Sequence, residues 1–108
     1  MTEDAQTTHS AAFSVAVDHP ALSGHFPGNP VVPGVVVLDR VISAAEVWLG
    51  RSLHVRRLAQ AKFLTPLRPG EAARINLALD GTMLAFSVSR DNATIAKGSL
   101  QLGQAGAS

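Results

Sequence analysis

From Gly34 to Leu49 nearly every position is apolar, with Val35, Val36, Val37, Leu38, Val41, Ile42, Ala44, Ala45, Val47, Trp48 and Leu49 in one run. About sixteen residues without a turn signal is long for a strand and ordinary for a helix. The pattern predicts one helix, apolar almost all round and therefore buried. Pro33 suits its first turn, where a missing N–H is no loss, and Gly50 supplies its stop. The β-branched residues 31–37 leave a buried strand as the alternative for that part. The polar exceptions Asp39, Ser43 and Glu46 follow at i, i+4 and i+7, so they share one stripe.

The rest of the chain has the two-residue period of strands. Residues 13–17 alternate and read as a half-buried strand. The small and polar residues 1–12 have no period and read as a frayed end, with His9 a solvated side chain. Asp18-His19-Pro20 breaks the first strand, and His19 reads as a loop residue. Residues 53–64 are extended, with His54 near their start. Pro66, Pro69 and Gly70 make a turn. Residues 71–80 alternate around Ala73, Ile75, Leu77 and Leu79, and Asp80-Gly81 is a hairpin signal. Leu84, Phe86 and Val88 share a face within residues 83–90. Asp91-Asn92 is a second tight turn before a last strand over residues 93–102. Residues 103–108 read as a second disordered tail. The expected architecture is α+β: one domain over residues 13–102, with an antiparallel sheet wrapped around one long central helix so that both bury their apolar faces. Trp48 belongs to core or dimer packing in this reading.

Composition narrows the function classes. A chain of 108 residues with 46% hydrophobic content is a single globular domain. A net charge of +1 gives no electrostatic case for nucleic acid as the main partner. The absence of cysteine removes disulfides, thiolate catalysis and cysteine metal sites together. Four scattered histidines lack ligand spacing, so no metal is expected. The longest apolar run carries Asp39, Arg40 and Glu46 and is too short to span a bilayer. No secretory leader opens the sequence, so the expected location is the cytoplasm. One helix and short strands bury little surface alone, which favours a homodimer sharing its core.

The chemistry concentrates just before the helix. Gly24-His25-Phe26-Pro27-Gly28-Asn29-Pro30-Val31-Val32-Pro33-Gly34-Val35 is dense in proline and glycine, which fix backbone direction and admit close approach. Asn29 reads as a turn former. His25 and Asp39 stand fourteen residues apart at opposite ends of this stretch. This pattern, with Asp18-His19-Pro20-Ala21-Leu22-Ser23-Gly24 before it and Ala61-Lys62-Phe63-Leu64-Thr65-Pro66-Leu67-Arg68-Pro69-Gly70-Glu71 after it, resembles the β-hydroxyacyl-acyl carrier protein dehydratases of the hotdog fold, the FabA/FabZ-like enzymes and their short ApeI-like branch. The resemblance covers residues 13–102, and two separated motifs in order make it specific.

The resemblance implies removal of water from a 3-hydroxyacyl thioester, giving a trans-2-enoyl thioester in fatty acid, polyene or related acyl-chain biosynthesis. It implies His25 as base and Asp39 as the acidic partner, meeting across a homodimer interface. The amides of Gly34 and Val35 would hold the thioester carbonyl at the helix N-terminus. Phe26, Pro33, Val36 and Phe63 would line the acyl tunnel. No cofactor is implied beyond the substrate's own phosphopantetheine thioester. The acyl group would come from acyl carrier protein or coenzyme A, and Arg51, Arg56, Arg57, Lys62 and Arg68 would form a basic rim for the carrier. Aspartate stands where fatty-acid-cycle members with broad chain-length range usually carry glutamate. It is found in the isomerising branch and in a short branch associated with aryl polyene-like pathways.

Blander readings stand beside these. Asp39 would be one member of a hydrated stripe, Glu46 a structural or solvent-facing carboxylate, and the five cations a solvated strand face. Two other functions fit a hotdog chain: an acyl thioesterase, and a non-catalytic partner that binds an acyl chain or a second dehydratase-like subunit. Higher oligomers are compatible with all three.

Overall fold

A computed structural model describes residues 6–16 and 31–103. Its elements are β1 (Gln6–Phe13), α1 (Gly34–Leu49), β2 (Val55–Phe63), β3 (Ala73–Asp80), β4 (Met83–Arg90) and β5 (Ala93–Leu102). The strands form one antiparallel sheet in the order β1-β3-β4-β5-β2. Two-residue loops join β3 to β4 and β4 to β5. Gly81 and Asp91 take the left-handed backbone these loops need, at φ 62° and 54°.

The helix begins at Pro33, whose extended backbone (φ −62°, ψ 148°) turns the chain inward without a side-chain cap. The amides of Val36 and Val37 both donate to the Pro33 carbonyl, at 3.0 and 3.2 Å. The helix ends at Gly50, left-handed at φ 71°, whose amide donates to the Glu46 carbonyl at 2.8 Å. The Glu46 carboxylate accepts the Leu53 amide at 2.8 Å, so it ties the helix end to the chain returning toward β2.

Val36, Val37, Val41 and Ala45 form the buried face of α1. They share one core with alternate residues of the sheet: Ile75 and Leu77 from β3, Leu84, Phe86 and Val88 from β4, and Leu100 and Leu102 from β5. Val15 and Leu67 belong to the same core. The strand period expected for residues 71–102 therefore holds except at Ile95 and Ala96, both buried beside a register shift in the β4–β5 ladder, because one sheet face meets the helix and the other meets water.

Four expectations need correction. Residues 6–12 are not a frayed tail; they lie in β1, paired from Gln6↔Asp80 to Phe13↔Ala73. Residues 14–16 of the expected first strand lie outside any strand, although Val15 is buried and its carbonyl accepts the Gly70 amide at 2.7 Å. β1 is an edge strand whose stability comes from backbone pairing, so its side chains carry little apolar signal. His9 is likewise not solvated. It pairs with Leu77 on the helix side of the sheet and stacks on Trp48, with ring centroids 5.3 Å apart and planes 7° from parallel. The helix, moreover, is not buried all round: Val35 and Val47 are 72% and 83% exposed. A single sheet covers only one side of a helix. The expected tail over residues 104–108 lies outside the described residues.

Glu71 locks the turn before β3. It accepts the Arg68 amide at 2.9 Å and the Arg90 guanidinium at 2.7 Å. The Arg68 hydrogen bond, reinforced by Arg90 and opposed by desolvation, holds its carboxyl below the ordinary 4.5. A depressed carboxyl stabilises the fold above its unfolded value and loses that contribution as pH falls through the folded value. Glu71→Gln is therefore expected to flatten the fall in Tm below about pH 4.5 and to lower Tm at pH 7, measured by thermal melts across that range.

Candidate active site

Three segments meet at the N-terminus of α1. The Val32 amide donates to the Leu67 carbonyl at 2.7 Å, and the amides of Leu64 and Thr65 donate to the Ile95 carbonyl at 2.8 and 3.3 Å. These bonds fix the loop after β2 against β5 and against the chain entering the helix. Between them lies a cavity of about 590 Å³, bounded by residues 31–34, Val37, residues 63–67 and Ile95. Among the described residues its walls are aliphatic or aromatic except for Gly34 and Thr65.

Phe63 leans over the helix start with its ring half exposed. A Cβ at Gly34 would stand 2.9 Å from the ring's Cζ, so glycine is what lets the ring lie there. The first amides of a helix have no intrahelical acceptor, and they carry the positive end of its dipole. Gly34 and Val35 occupy those positions. The arrangement can hold an apolar chain and present N–H donors to a carbonyl that gains negative charge. Gly34→Ala is expected to cost about 1 kcal/mol through the clash with Phe63. Tm would fall by about 4–8 °C, and Phe63→Ala in the same chain should recover part of that loss.

The structure brings together Pro33, Gly34 and Phe63 of the expected site. Val36 does not line the cavity; it turns into the core, because the helix face toward the sheet passes through it. Val35 offers its amide while its side chain faces outward. Asp39, one turn further along, is exposed on the same side, in a stripe with Ser43 and Val47. His25 and Phe26 lie outside the described residues, as does His19. Glu46 is structural, as its bond to Leu53 shows.

The five expected cations do not form one rim. Arg51 follows the C-terminal end of α1, about 23 Å from Gly34 along the axis. Arg56 and Arg57 sit at the start of β2, where Arg57 Nε donates to Gln101 at 3.2 Å. Lys62 and Arg68 lie toward the cavity end. Val37, Leu64, Thr65, Leu67 and Ile95 line the cavity without having been singled out from the sequence. The Pro66–Pro69 turn marked the place, but Leu67 between two prolines read as turn rather than as core. Among the described residues no group of histidine and carboxylate side chains is placed to hold a metal ion. No helix among them is long and apolar enough to cross a membrane.

The exposed apolar positions are grouped. β2 pairs with β5 only and is an edge strand. Leu58 and Phe63 on it, and Leu64 just beyond it, are about half exposed, as Val35 and Val47 on α1 are more fully.

Comparison with known proteins follows the same outline. A family model described as ApeI-like, ApeI dehydratase, matches residues 1–99. The 3-hydroxyacyl-[acyl-carrier-protein] dehydratase FabZ of Caulobacter sp. (strain K31) is 35% identical over 72 residues, covering 58% of this chain and 44% of its own. That of Latilactobacillus sakei subsp. sakei (strain 23K) is 32% identical over 89 residues, covering 76% and 64%. The chain thus spans about half the length of most curated relatives it matches. A chain of the dehydratase heterocomplex ApeI:P from Xenorhabdus doucetiae superposes with a TM-score of 0.80 at 25% identity, over 90% of this chain and 88% of that one. An uncharacterized protein from Erwinia carotovora subsp. atroseptica gives 0.77 at 26%, over 95% and 88%.

Proposed function

The chain belongs to the ApeI-like dehydratase family of the hotdog fold, and from that premise we propose that it dehydrates a 3-hydroxyacyl thioester borne on acyl carrier protein to the trans-2-enoyl thioester. The observation that carries this reading is the apolar cavity opening at the free amides of Gly34 and Val35, with Phe63 over Gly34. The acyl chain lies in the cavity and the thioester oxygen faces those amides. His25 takes the proton from C2. The electron pair left behind forms the C2–C3 double bond as the C3 hydroxyl departs, and Asp39 protonates that hydroxyl, so one water leaves. No metal or other cofactor takes part.

Asp39 works from a helix side that is open in a single chain. We place the facing His25 on a second subunit, joined through the β2 edge and the outward side of α1, so that two sheets enclose two helices. The exposure of Val35, Leu58 and Val47 in the single chain supports that assembly, which would bury them. The ApeI:P neighbour, a dehydratase heterocomplex, favours a second reading, in which the opposite subunit is a different dehydratase-like chain.

The test is mass spectrometry of 3-hydroxyacyl-carrier protein substrates of graded chain length, incubated with the purified protein. Loss of about 18 Da, one water, is the expected result. Release of free acid instead would establish a thioesterase. Inactivity that is relieved by adding a second dehydratase-like chain would establish the heteromeric reading.

A further inference from the structure

The side of the sheet away from α1 carries a feature that the dehydration site does not use. The strand registers place Ser10, Asn76, Ser87, Lys97 and Lys62 in one transverse row across all five strands. Lys97 and Lys62 are direct cross-strand partners. Like charges in that relation destabilise a sheet. At the other end of the row, Arg74 Nη1 donates to Ser10 Oγ at 3.2 Å, and Ser10 in turn donates to Asn76 at 3.1 Å. Cations therefore flank the row on both sides.

The row lies in a trough of about 1030 Å³ on the sheet, and no carboxylate is among its described lining residues. Its floor is small: Ala78, Ala85 and Ser99 are successive partners on β3, β4 and β5. Neighbouring strands lie about 4.8 Å apart, so β3 and β5 are about 10 Å apart. That is the width of a helix with its side chains.

We propose that this trough is the docking surface for the acyl carrier protein, which lays an acidic helix across the sheet with its carboxylates between Lys62, Lys97 and Arg74. The proposal rests on the reading of a carrier-borne substrate and relocates the carrier's contact from the dispersed β2 cations to the outer sheet face. Lys62 and Phe63 are successive residues of β2, so their side chains face opposite sides of the sheet. The cation faces the trough and the ring faces the cavity. A carrier held at Lys62 thus stands beside the end of β2, and its arm passes around that end, by residues 64–67, to reach the cavity.

The experiment is an NMR titration of the labelled full chain with apo acyl carrier protein, paired with kinetics on carrier-bound and N-acetylcysteamine thioesters of one 3-hydroxy acid. Amide shifts are expected at Asn76, Ser87, Lys97 and Ser99, fading as salt rises. In Lys62→Glu/Lys97→Glu the shifts should vanish, and the ratio of kcat/KM for carrier-bound over carrier-free substrate should fall about thirty-fold. Lys62→Gln/Lys97→Gln should give a smaller fall in the same ratio. Shifts confined to Arg51, Arg56 and the helix end, or an unchanged ratio with the sheet-face amides still, would overturn the docking site. So would binding to phosphatidylglycerol vesicles with no response to carrier. If carrier binds in the trough but neither thioester loses water, the docking site stands and the dehydratase reading fails.

Discussion

Alanine at His25 is expected to lower kcat for dehydration by about a thousand-fold, and asparagine at Asp39 by about a hundred-fold. The C2 proton of a thioester is weakly acidic, so a positioned base is the larger contribution; the departing hydroxyl needs only one proton, which water can supply poorly. Asp39→Asn should fold with wild-type Tm, because Asp39 is exposed in the chain and is not part of the core cluster. Mixing the two variants separates a shared site from a site within one chain. If His25 and Asp39 meet across a dimer, a heterodimer of His25→Ala with Asp39→Asn chains contains one intact site and one doubly broken one. Half the dimers in a random mixture are such heterodimers, so activity should return to about a quarter of wild type. Two residues from the same chain would give no recovery at all. The pattern distinguishes the homodimer from every arrangement in which one chain is self-sufficient.

Gly98→Ala is expected to be the most damaging substitution to stability. Gly98 pairs with Phe86 on one side and Ala61 on the other, beside the irregularity where β2 shifts register between Leu58 and Gln60. A Cβ there would overlap the Gln60 carbonyl oxygen and stand 2.9 Å from the Ala61 Cα. Both obstacles are backbone, so no side chain can swing aside. Relief requires β2 to move off β5, which forfeits ladder hydrogen bonds. The expected cost is about 3 kcal/mol, or a Tm lower by about 12–24 °C. Ser99→Ala, one residue on and facing the trough, should change Tm by only a few degrees. Hydrogen exchange should show β2 opening first. Since β2 is also the proposed dimer edge, the variant should elute as a monomer in gel filtration at concentrations where wild type does not.

The parts of the fold legible in the sequence share one property: their apolar residues repeat with the period of their secondary structure and nothing interrupts them. The helix reads from Gly34 to Leu49 because Pro33 and Gly50 bracket it. The β3-β4-β5 meander reads because Leu77, Leu84, Phe86, Val88 and Leu100 alternate with smaller or more polar residues and two short turn signals separate the strands. β1 did not read, since Gln6–Phe13 holds a strand through main-chain bonds to β3 while its side chains are threonine, serine, alanine and one histidine. Leu67, nearly fully buried, hid between two prolines. The site was legible as a set of residue types, not as a geometry. Gly34 and Phe63 were each identifiable, whereas their contact depends on a loop fixed by backbone bonds to Ile95. The Lys62–Lys97 pair was invisible, because register between strands 35 residues apart leaves no local trace.

The β1–β3 pairing also has a consequence for synthesis. β1 leaves the ribosome before the rest of the sheet, and its first partner residues at Ala73 and beyond follow some 60 positions later. At about 5–20 residues per second, the segment waits several seconds with both edges unpaired. A strand rich in valine and isoleucine would be a template for aggregation during that interval. One made of glutamine, threonine, histidine, serine and alanine is not. The polarity that disguises β1 as a tail is what allows the nascent chain to carry it safely until the meander is complete and the sheet can close over it.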